Sequence, residues 1–238
     1  MMKRADWNRL ADNFESEVCD ITREERTGKV ERYVNAVRLP RRDAVLVDLG
    51  CGIGTFVSKF GSRFARIVAV DHASKIVARA RASSACATPV KWMVMDVAKA
   101  GEALGACSDL TVCMNVITSS SSERREALWR SVAMVTKRGG YALVVVPSIE
   151  SDAMVRKFAF RAGRADEFVS TPDGLVTRDG AVQKHFSREE LAATLSANGF
   201  TVSRMGRAAY PWSVEGLRKP SAANAKPPWD WMCLSQRA

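Results

Sequence analysis

The sequence lacks any long apolar segment. No run of hydrophobic residues in the 238-residue chain approaches the roughly 20 consecutive apolar residues that a membrane-spanning helix needs. The first residues, Met1 to Trp7, turn polar at once and contain none of the apolar core of a secretory signal. We therefore expect a cytoplasmic protein that does not act within a membrane.

Metal-binding and disulfide patterns are also missing. The chain has six cysteines and two histidines, but it has no C-x-x-C pair and no histidine at the spacing of a zinc site. Without an export signal, free thiols are expected, and no metal site is predicted. The hydrophobic fraction of 47% and the charged fraction of 26% are typical of a globular protein, and the length favours one domain.

The charge balance is basic. There are 36 lysines and arginines against 26 aspartates and glutamates, a net charge of +10 that favours anionic partners such as RNA. The basic residues are nevertheless spread along the chain and mixed with acidic ones, as in Arg23-Glu24-Glu25-Arg26. No arginine-rich tail and no basic stripe with interleaved aromatic residues occurs. Nucleic-acid binding is therefore an alternative that we do not favour.

Residues 7–38 are predicted to be helical, with a break at Thr27-Gly28. After this stretch, apolar runs of strand length alternate with segments of helical periodicity. Strands are predicted at 44–49, 67–70, 90–95, 110–114, 141–146, 200–205 and 229–234. Helices are predicted between the first five strands, at 55–64, 74–85 and 128–135. The last of these is expected to end at Lys137-Arg138-Gly139-Gly140, since cations and glycine are typical of a helix C-terminus. Alternating strands and helices with continuous apolar runs indicate a parallel sheet covered on both faces.

A glycine loop follows the first strand. Gly50, Gly52 and Gly54 alternate after Asp48, and glycine lets the backbone approach a ligand that side chains would block. The dinucleotide fingerprint is G-x-G-x-x-G, and Thr55 stands where its third glycine would be. An acidic residue two positions before the first glycine suits a cationic ligand group better than a pyrophosphate. The spacing therefore disfavours an NAD-linked enzyme.

The string Asp48-Leu49-Gly50-Cys51-Gly52-Ile53-Gly54-Thr55 resembles the first signature motif of class I S-adenosylmethionine-dependent methyltransferases. Further matches follow in that family's order, over roughly residues 44–147: Asp71-His72, Met95-Asp96-Val97, Asp109 to Asn115, and Lys137 to Gly140. The resemblance implies a Rossmann-like, doubly wound α/β fold. Its mostly parallel seven-stranded sheet would have helices on both faces, an antiparallel edge strand and an N-terminal helical cap.

The resemblance also implies the residues that bind S-adenosylmethionine. Asp71 looks like the acid that accepts hydrogen bonds from both ribose hydroxyls, and His72 like a residue beside the adenine. Asp96 and the Val97 amide are similar to the contacts made with the adenine amino group and a ring nitrogen, and Asn115 ends the strand that faces the donor methyl. Asp71 and Asp96 could each instead be a helix N-cap. The implied cofactor-binding residues are Asp48, Gly50, Cys51, Gly52, Gly54, Asp71, His72, Asp96, Val97, Asn115 and Val116.

Motifs that the sequence lacks restrict the class of molecule expected to accept the methyl group. The fourth strand ends Met114-Asn115-Val116-Ile117, without the Asn/Asp-Pro-Pro-Tyr/Phe string of nucleic-acid amino-methylating enzymes. A Pro-Cys nucleophile for cytosine carbon is also absent. We therefore predict methyl transfer by alignment to a small-molecule acceptor, with the methylated atom undetermined. The alternatives are an RNA or tRNA methyltransferase and a non-catalytic cofactor-binding module of the same fold.

One domain of four segments is expected, acting as a monomer or homodimer. The segments are an N-terminal helical cap at 1–40, a cofactor-binding core at 41–147, an insertion over the acceptor site at 148–184, and C-terminal helix and strands at 185–238. Tyr33, His185 and Tyr210 are candidate catalytic residues on the acceptor side. His185 titrates near neutrality and could act as a base, although a surface or capping role beside Ser187 competes with that interpretation.

Overall fold

The computed structural model describes residues 4–40, 42–161, 163, 168–178, 180–220 and 226–238. The remaining residues of the four segments predicted from the sequence lie outside the described part of the chain. The helices are α1 Arg4–Leu10, α2 Phe14–Glu17, α3 Ile21–Glu24, α4 Lys29–Asn35, α5 Thr55–Phe60, α6 Ser74–Ser83, α7 Ala100–Leu104, α8 Ser122–Val135, α9 Ile149–Arg161 and α10 Arg188–Ala197. The strands are β1 Val45–Leu49, β2 Arg66–Asp71, β3 Val90–Val94, β4 Ser108–Met114, β5 Thr136–Pro147, β6 Phe168–Ser170, β7 Leu175–Arg178, β8 Ala181–Lys184, β9 Phe200–Ala209 and β10 Trp229–Arg237.

The main sheet has seven strands in the order β3-β2-β1-β4-β5-β10-β9. The first five pair in parallel, while β10 is antiparallel to both β5 and β9. The antiparallel strand therefore lies beside the outermost strand, β9. This arrangement confirms the predicted mostly parallel sheet. The carboxyl ends of β1 to β5 meet at one edge, and the amino-terminal end of β10 lies at that same edge because β10 runs the opposite way.

Two apolar layers cover the two faces of this sheet. Successive residues of a strand point to opposite faces, and β1 follows this rule: Val47 belongs to one buried cluster and Leu46 to the other. The first cluster packs α8 and α10 onto the sheet through residues such as Val132 and Leu191. The second packs α4 and α5, through residues such as Val34. Burial on both faces explains why β1 reads as a continuous apolar run.

The predicted end of the helix before β5 is wrong. Helix α8 ends at Val135, and Lys137-Arg138-Gly139-Gly140 lie beyond it, inside β5. Thr136 is already extended, with φ of −75° and ψ of 127°. Its buried hydroxyl donates to the Val132 carbonyl at 2.7 Å and lies 2.8 Å from the Thr111 hydroxyl. The four residues then bulge out of the ladder, since Thr136 pairs with Ser108 but Tyr141 already pairs with Leu110.

The N-terminal segment is helical as predicted, but in several short pieces. The predicted break is confirmed, because Gly28 precedes α4 with a left-handed φ of 71°. Before α3, the side chain of Asp20 accepts a hydrogen bond from the Thr22 amide at 2.9 Å, a typical N-cap.

Between β5 and α10 the chain forms α9 and a second, three-stranded antiparallel sheet, β6-β7-β8. The backbone amide of Lys184, at the end of β8, donates to the Thr118 carbonyl at 2.9 Å, which ties this small sheet to the loop after β4. Arg178 of β7 forms an ion pair with Glu215. None of the helices in the described part of the chain combines the length and apolar character that a membrane span requires.

Candidate functional site

The glycine loop leaves the carboxyl end of β1 and turns back into α5. The amides of Gly50 and Cys51 both donate to the Val70 carbonyl, at 2.7 and 3.0 Å, so the loop is fixed to the end of β2. Gly50 and Gly52 have left-handed backbones, with φ of 79° and 52°, a conformation that disfavours residues with a side chain. The local sequence therefore determines the loop shape directly.

The loop is also closely packed. A Cβ on Gly50 would lie 2.2 Å from Val116 Cγ2, and a Cβ on Gly52 would lie 2.9 Å from the ring of Phe14. Gly54 has its left-handed backbone immediately before α5, and a Cβ there would lie 2.8 Å from the ring of Trp92. Glycine is thus required here by contacts as well as by conformation.

A cavity of about 280 Å³ opens at the carboxyl ends of β1 to β4. All the residues predicted to bind the cofactor lie in its wall except Gly54. The wall consists of Arg4, Trp7, Phe14, Val18, Cys19, Asp20, Ile21, Thr22, Asp48, Gly50, Cys51, Gly52, Thr55, Phe56, Asp71, His72, Asp96, Val97, Val112, Met114, Asn115, Val116, Thr118, Arg124, Leu128, Ala181, Val182 and Gln183. The fold thus gathers residues from distant parts of the chain around one space.

Asp48 is the most deeply buried carboxylate of this wall, at 3% exposure. Its Oδ2 accepts no hydrogen bond from any described residue. Burial, followed by the nearby carboxylates of Asp20 and Asp71, raises the pKa of Asp48 to about 8. A buried acceptor with no donor is costly, so this oxygen is suited to a cationic or hydrogen-bond-donating ligand group.

Asp71 ends β2 and holds the glycine loop. Its Oδ2 accepts from the Gly52 amide at 3.2 Å and its Oδ1 from the Ala73 amide at 2.9 Å. His72 Nδ1 lies 3.5 Å from Asp71 Oδ1. Burial raises the pKa of Asp71, while the hydrogen bond from Ala73 and the nearby imidazole of His72 oppose that shift. Each carboxylate oxygen keeps further acceptor capacity, and Asp71 lies in the cavity wall.

Asp96 follows β3 and has two partners. Its side chain caps the short 3₁₀ turn that begins at Val97, accepting from the Ala98 amide at 3.0 Å. Arg124 of α8 also binds it with both Nη atoms, at 2.7 and 2.5 Å. The hydrogen bonds from Arg124 hold the pKa of Asp96 below its usual range. Arg124 was not predicted from the sequence, because nothing in its own segment indicates a partner 28 residues earlier.

Asn115 follows β4 with a left-handed φ of 56°, the one non-glycine residue with positive φ in the described part of the chain. Its Nδ2 donates to Asp230 Oδ2 at 2.7 Å, and its Oδ1 is shielded from water without a described partner. Asp230 lies at the start of β10, where burial raises its pKa to about 7 while the hydrogen bond from Asn115 opposes the shift. No local pattern in the sequence indicates this pairing, since 115 positions separate the two residues.

The N-terminal segment closes the cavity on two sides. Trp7 lies edge-on to His72, with ring centroids 6.4 Å apart, and 6.5 Å from Phe14. Further along, the Thr22 hydroxyl lies 3.6 Å from Met114 Sδ at the end of β4. The apolar spacing of this segment predicted a helical stretch, but it contained no information on which part of the sheet that stretch covers.

The three candidate catalytic residues occupy other places, and none of them is in the described cavity wall. Tyr33 is buried in the second apolar cluster, beside Gly206. Tyr210 donates its hydroxyl to Glu215 Oε1 at 2.7 Å, and burial raises its pKa well above the ordinary value. Burial lowers the pKa of His185 to about 4. With none of the three in the described cavity wall, a catalytic role for any of them stays a prediction.

The insertion reaches the cavity through one strand. Ala181, Val182 and Gln183 of β8 lie in the cavity wall, next to the loop that holds Thr118. We name two groups of wall residues by the roles that are proposed for them below: "cofactor end" for Trp7, Gly50–Gly52, Asp71-His72 and Asp96-Val97, and "acceptor end" for Cys19–Thr22, Met114–Val116, Thr118 and Ala181–Gln183.

Comparisons with known proteins agree with this geometry. A family model described as a methyltransferase domain matches residues 46–140. No curated protein sequence matches the chain. Among solved structures, a SAM-dependent methyltransferase from Anabaena variabilis superposes with a TM-score of 0.69 at 14% identity, covering 100% of this chain and 96% of its own.

Two further solved structures contain bound S-adenosylhomocysteine. The Burkholderia thailandensis 1,6-didemethyltoxoflavin-N1-methyltransferase matches with a TM-score of 0.61 at 16% identity, over 99% of this chain and 87% of that one. The magnesium protoporphyrin IX methyltransferase of Synechocystis matches with a TM-score of 0.57 at 17% identity, over 98% and 100%. The family model identifies a methyltransferase domain over residues 46–140, and the solved structures share the fold and sheet architecture of the whole chain.

Proposed function

We propose that this methyltransferase acts on a small-molecule acceptor that binds at the acceptor end of the cavity. The observation that carries the proposal is the shape of the wall. Three separate segments, Cys19–Thr22, Met114–Val116 with Thr118, and Ala181–Gln183, surround the end of β4.

The residues at the cofactor end fit S-adenosylmethionine. The unpartnered Oδ2 of Asp48 is suited to the α-ammonium group, which a buried carboxylate binds as a charged hydrogen bond. Asp71, at the end of β2, would accept hydrogen bonds from the ribose hydroxyls. Trp7 and His72 would flank the adenine, whose edge would face Asp96 and the Val97 amide. The tight packing of Gly50 and Gly52 keeps the loop in one shape for this purpose.

Bound S-adenosylmethionine supplies a methyl group that the positive sulfonium has already activated. The work left to the chain is to align the acceptor and to exclude water. Ile21, Phe56 and Val182 contribute apolar surface to the wall, and this surface would align the acceptor and exclude water. The acceptors named for two of the structural neighbours, a toxoflavin precursor and a magnesium porphyrin, are also small molecules, and this supports the proposal.

Calorimetric titration with S-adenosylmethionine tests the cofactor assignment. We expect wild-type binding in the micromolar range, and Asp71→Ala should weaken it by about 10- to 100-fold, the roughly 1.5–3 kcal/mol of a charged hydrogen bond. Asp43→Ala is the matched control, because Asp43 is an exposed carboxylate in the turn before β1. Equal affinities for the two variants would show that Asp71 is not a cofactor ligand.

An RNA acceptor is the second candidate, favoured by the net charge of +10. If RNA is the acceptor, methyl groups should be incorporated into RNA, and the affinity for RNA should fall steeply as the salt concentration rises. Labelled methyl transfer, measured on small-molecule extracts and on total RNA in parallel, separates the two. Incorporation into RNA alone would overturn the small-molecule proposal and leave the cofactor site intact.

A further inference from the structure

Arg124 lies in the cavity wall, but none of the proposed cofactor contacts uses it. Both of its Nη atoms bind the carboxylate of Asp96. The side chain of Arg124 is 33% exposed and that of Asp96 is 29% exposed, so a ligand in the cavity can reach both. The pair therefore lies open beside the place that the proposed function gives to the adenine edge.

The position of Arg124 in its helix is unfavourable for a cation. Ser121 is the N-cap of α8, and Arg124 is the third residue after it. The amino-terminal end of a helix has a partial positive charge, which repels an arginine in the first turn. The carboxylate of Asp96 offsets this repulsion. The tertiary contact thus overrides a local preference, and such conflicts are expected at functional sites.

The hydrogen bonds from described residues leave one acceptor position of Asp96 open. A carboxylate has about four such positions, two on each oxygen. Oδ1 accepts from the Ala98 amide and from Arg124 Nη2, and Oδ2 accepts from Arg124 Nη1, so the open position is on Oδ2. The hydrogen bonds from Arg124 also hold the pKa of Asp96 below its usual range. The carboxylate is therefore ionised at neutral pH and has no proton to donate.

The orientation of this open position is fixed by α8. Ser131 accepts from the Gly101 amide at 2.8 Å and donates to the Val97 carbonyl at 2.6 Å, so the helix holds the backbone that follows Asp96. The remaining freedom is rotation of the Asp96 side chain. A guanidinium that binds both carboxylate oxygens opposes this rotation, because a bidentate pair has a defined plane. Helix α8 thus holds both the backbone and the side chain at this point.

We propose that Arg124 is a positioning residue for adenine recognition: its two hydrogen bonds orient the Asp96 carboxylate so that Oδ2 accepts one N–H of the adenine 6-amino group. The inference rests on the proposed function, because it assumes that the adenine edge faces Asp96. Arg124 acts through Asp96 and does not itself bind the cofactor. A purine without a donor at position 6 gains nothing from this contact, so Arg124 contributes to the selection of adenine.

Two matched ligands test the proposal by calorimetric titration. One is S-adenosylhomocysteine, and the other is its 6-deamino analogue, in which a hydrogen atom replaces the 6-amino group. We expect the wild type to bind S-adenosylhomocysteine about 10- to 100-fold more tightly than the analogue. Arg124→Met should reduce this preference to less than about threefold by weakening S-adenosylhomocysteine binding alone. Binding of the analogue should change by less than about twofold, which also shows that the variant is folded.

Arg130→Met is the control, because it removes an exposed arginine from the same helix and leaves the pair intact. It should change neither affinity. Asp96→Ala should reduce the preference as far as Arg124→Met does, and the double variant should reduce it no further, since the two residues act as one unit.

An equal loss of affinity for both ligands on Arg124→Met would overturn the proposal, because the role of Arg124 would then be structural. Tighter binding of S-adenosylhomocysteine by Arg124→Met would also overturn it, since the arginine would then compete with adenine for Asp96. A preference that survives Asp96→Ala would overturn the proposed position of adenine together with this inference. Failure of the wild type to bind S-adenosylhomocysteine would contradict the cofactor site itself, which keeps these failures distinct.

Discussion

Val116 packs against the α-carbon of Gly50, with its Cγ2 2.2 Å from the point where a Cβ of residue 50 would stand. The contact joins the loop after β1 to the residue after Asn115 at the end of β4. The two adjacent strands β1 and β4 therefore fix each other's carboxyl ends. Any residue larger than glycine at position 50 must displace Val116, and with it the wall of the cavity.

Gly50→Ala should consequently lower the free energy of unfolding more than an alanine substitution at another glycine with the same backbone strain. Gly139 is the matched control, because its φ of 76° is close to the 79° of Gly50 and a Cβ there would have no neighbour within 4 Å. Both alanines incur roughly 1–2 kcal/mol for the left-handed backbone, and Gly50→Ala adds about 1–3 kcal/mol for overpacking. Urea unfolding of the two variants measures this difference.

Val116→Ala in the Gly50→Ala background removes Cγ2, and it should recover part of the lost free energy of unfolding. Gly50→Ala should also bind S-adenosylmethionine less well than Gly139→Ala does. Equal destabilisation by the two single substitutions would mean that the loop shifts without resistance, and that the contact with Val116 does not fix the cavity wall.

The parts of this molecule that were predictable from sequence are the local ones. The apolar run of β1 and the glycine spacing after it depend only on strand burial and backbone sterics, and both give unambiguous patterns. The N-cap at Ser187 is of the same kind, since Ser187 Oγ accepts from the Glu190 amide at 3.0 Å within one helical turn. The glycine loop and the motifs that follow it at successive strand ends likewise identified ten of the 28 residues in the described cavity wall.

The missed features depend on contacts between distant residues. The Arg124–Asp96 ion pair and the Asn115–Asp230 hydrogen bond each join different elements, and no local periodicity encodes which elements meet. Lys137 has the local pattern of a helix end, because cations are common there. It instead donates to Asp109 at 2.9 Å, so a tertiary ion pair overrode a helix-end preference.

The ion pair between Arg178 of β7 and Glu215 should hold the small sheet against the C-terminal loop. Glu215 is 8% exposed and also accepts the Tyr210 hydroxyl, so Arg178→Ala leaves a buried carboxylate without its cation. We expect faster amide hydrogen exchange in β6 to β8 and little change in β1 to β5, with a loss of about 1–3 kcal/mol in unfolding free energy. Hydrogen exchange followed by mass spectrometry resolves these regions.

Arg161→Ala is the control for loss of an arginine, since Arg161 is exposed at the end of α9. Uniform acceleration of exchange across the main sheet would contradict a local anchoring role for Arg178. If exchange in β8 rises while S-adenosylhomocysteine binding is unchanged, the ion pair anchors the small sheet and has no part in cofactor binding.

The raised pKa of Asp48 predicts a pH dependence with a definite sign. The carboxyl has an ordinary pKa of 3.8 and a folded-state pKa of about 8, raised first by burial and then by Asp20 and Asp71. Between these two values the unfolded chain is ionised while the folded chain keeps its proton. The contribution of Asp48 to the free energy of unfolding is therefore fully present below its unfolded-state pKa. It is lost as the pH rises through the folded-state pKa of about 8, by at most about 1.4 kcal/mol per pH unit.

Asp48→Asn removes this titration and keeps the shape of the side chain. Relative to the wild type, the variant should gain unfolding free energy progressively from pH 5 to pH 8 and level off above that range. Urea unfolding at several pH values measures the difference, and other titrating groups cancel in the comparison. Parallel pH profiles for the two proteins would show that Asp48 is ionised throughout.

Cofactor binding should show the opposite trend with pH. To pair with the α-ammonium group, Asp48 must first release its proton, so wild-type affinity for S-adenosylhomocysteine should rise by up to about tenfold per pH unit between pH 6 and 8. Titration in two buffers of different ionisation enthalpy should detect about one proton released near pH 7. Asp48→Asn should bind more weakly and release no proton. Wild-type binding that is independent of pH over this range would mean that the ammonium group binds elsewhere, and that Asp48 stays neutral in the complex.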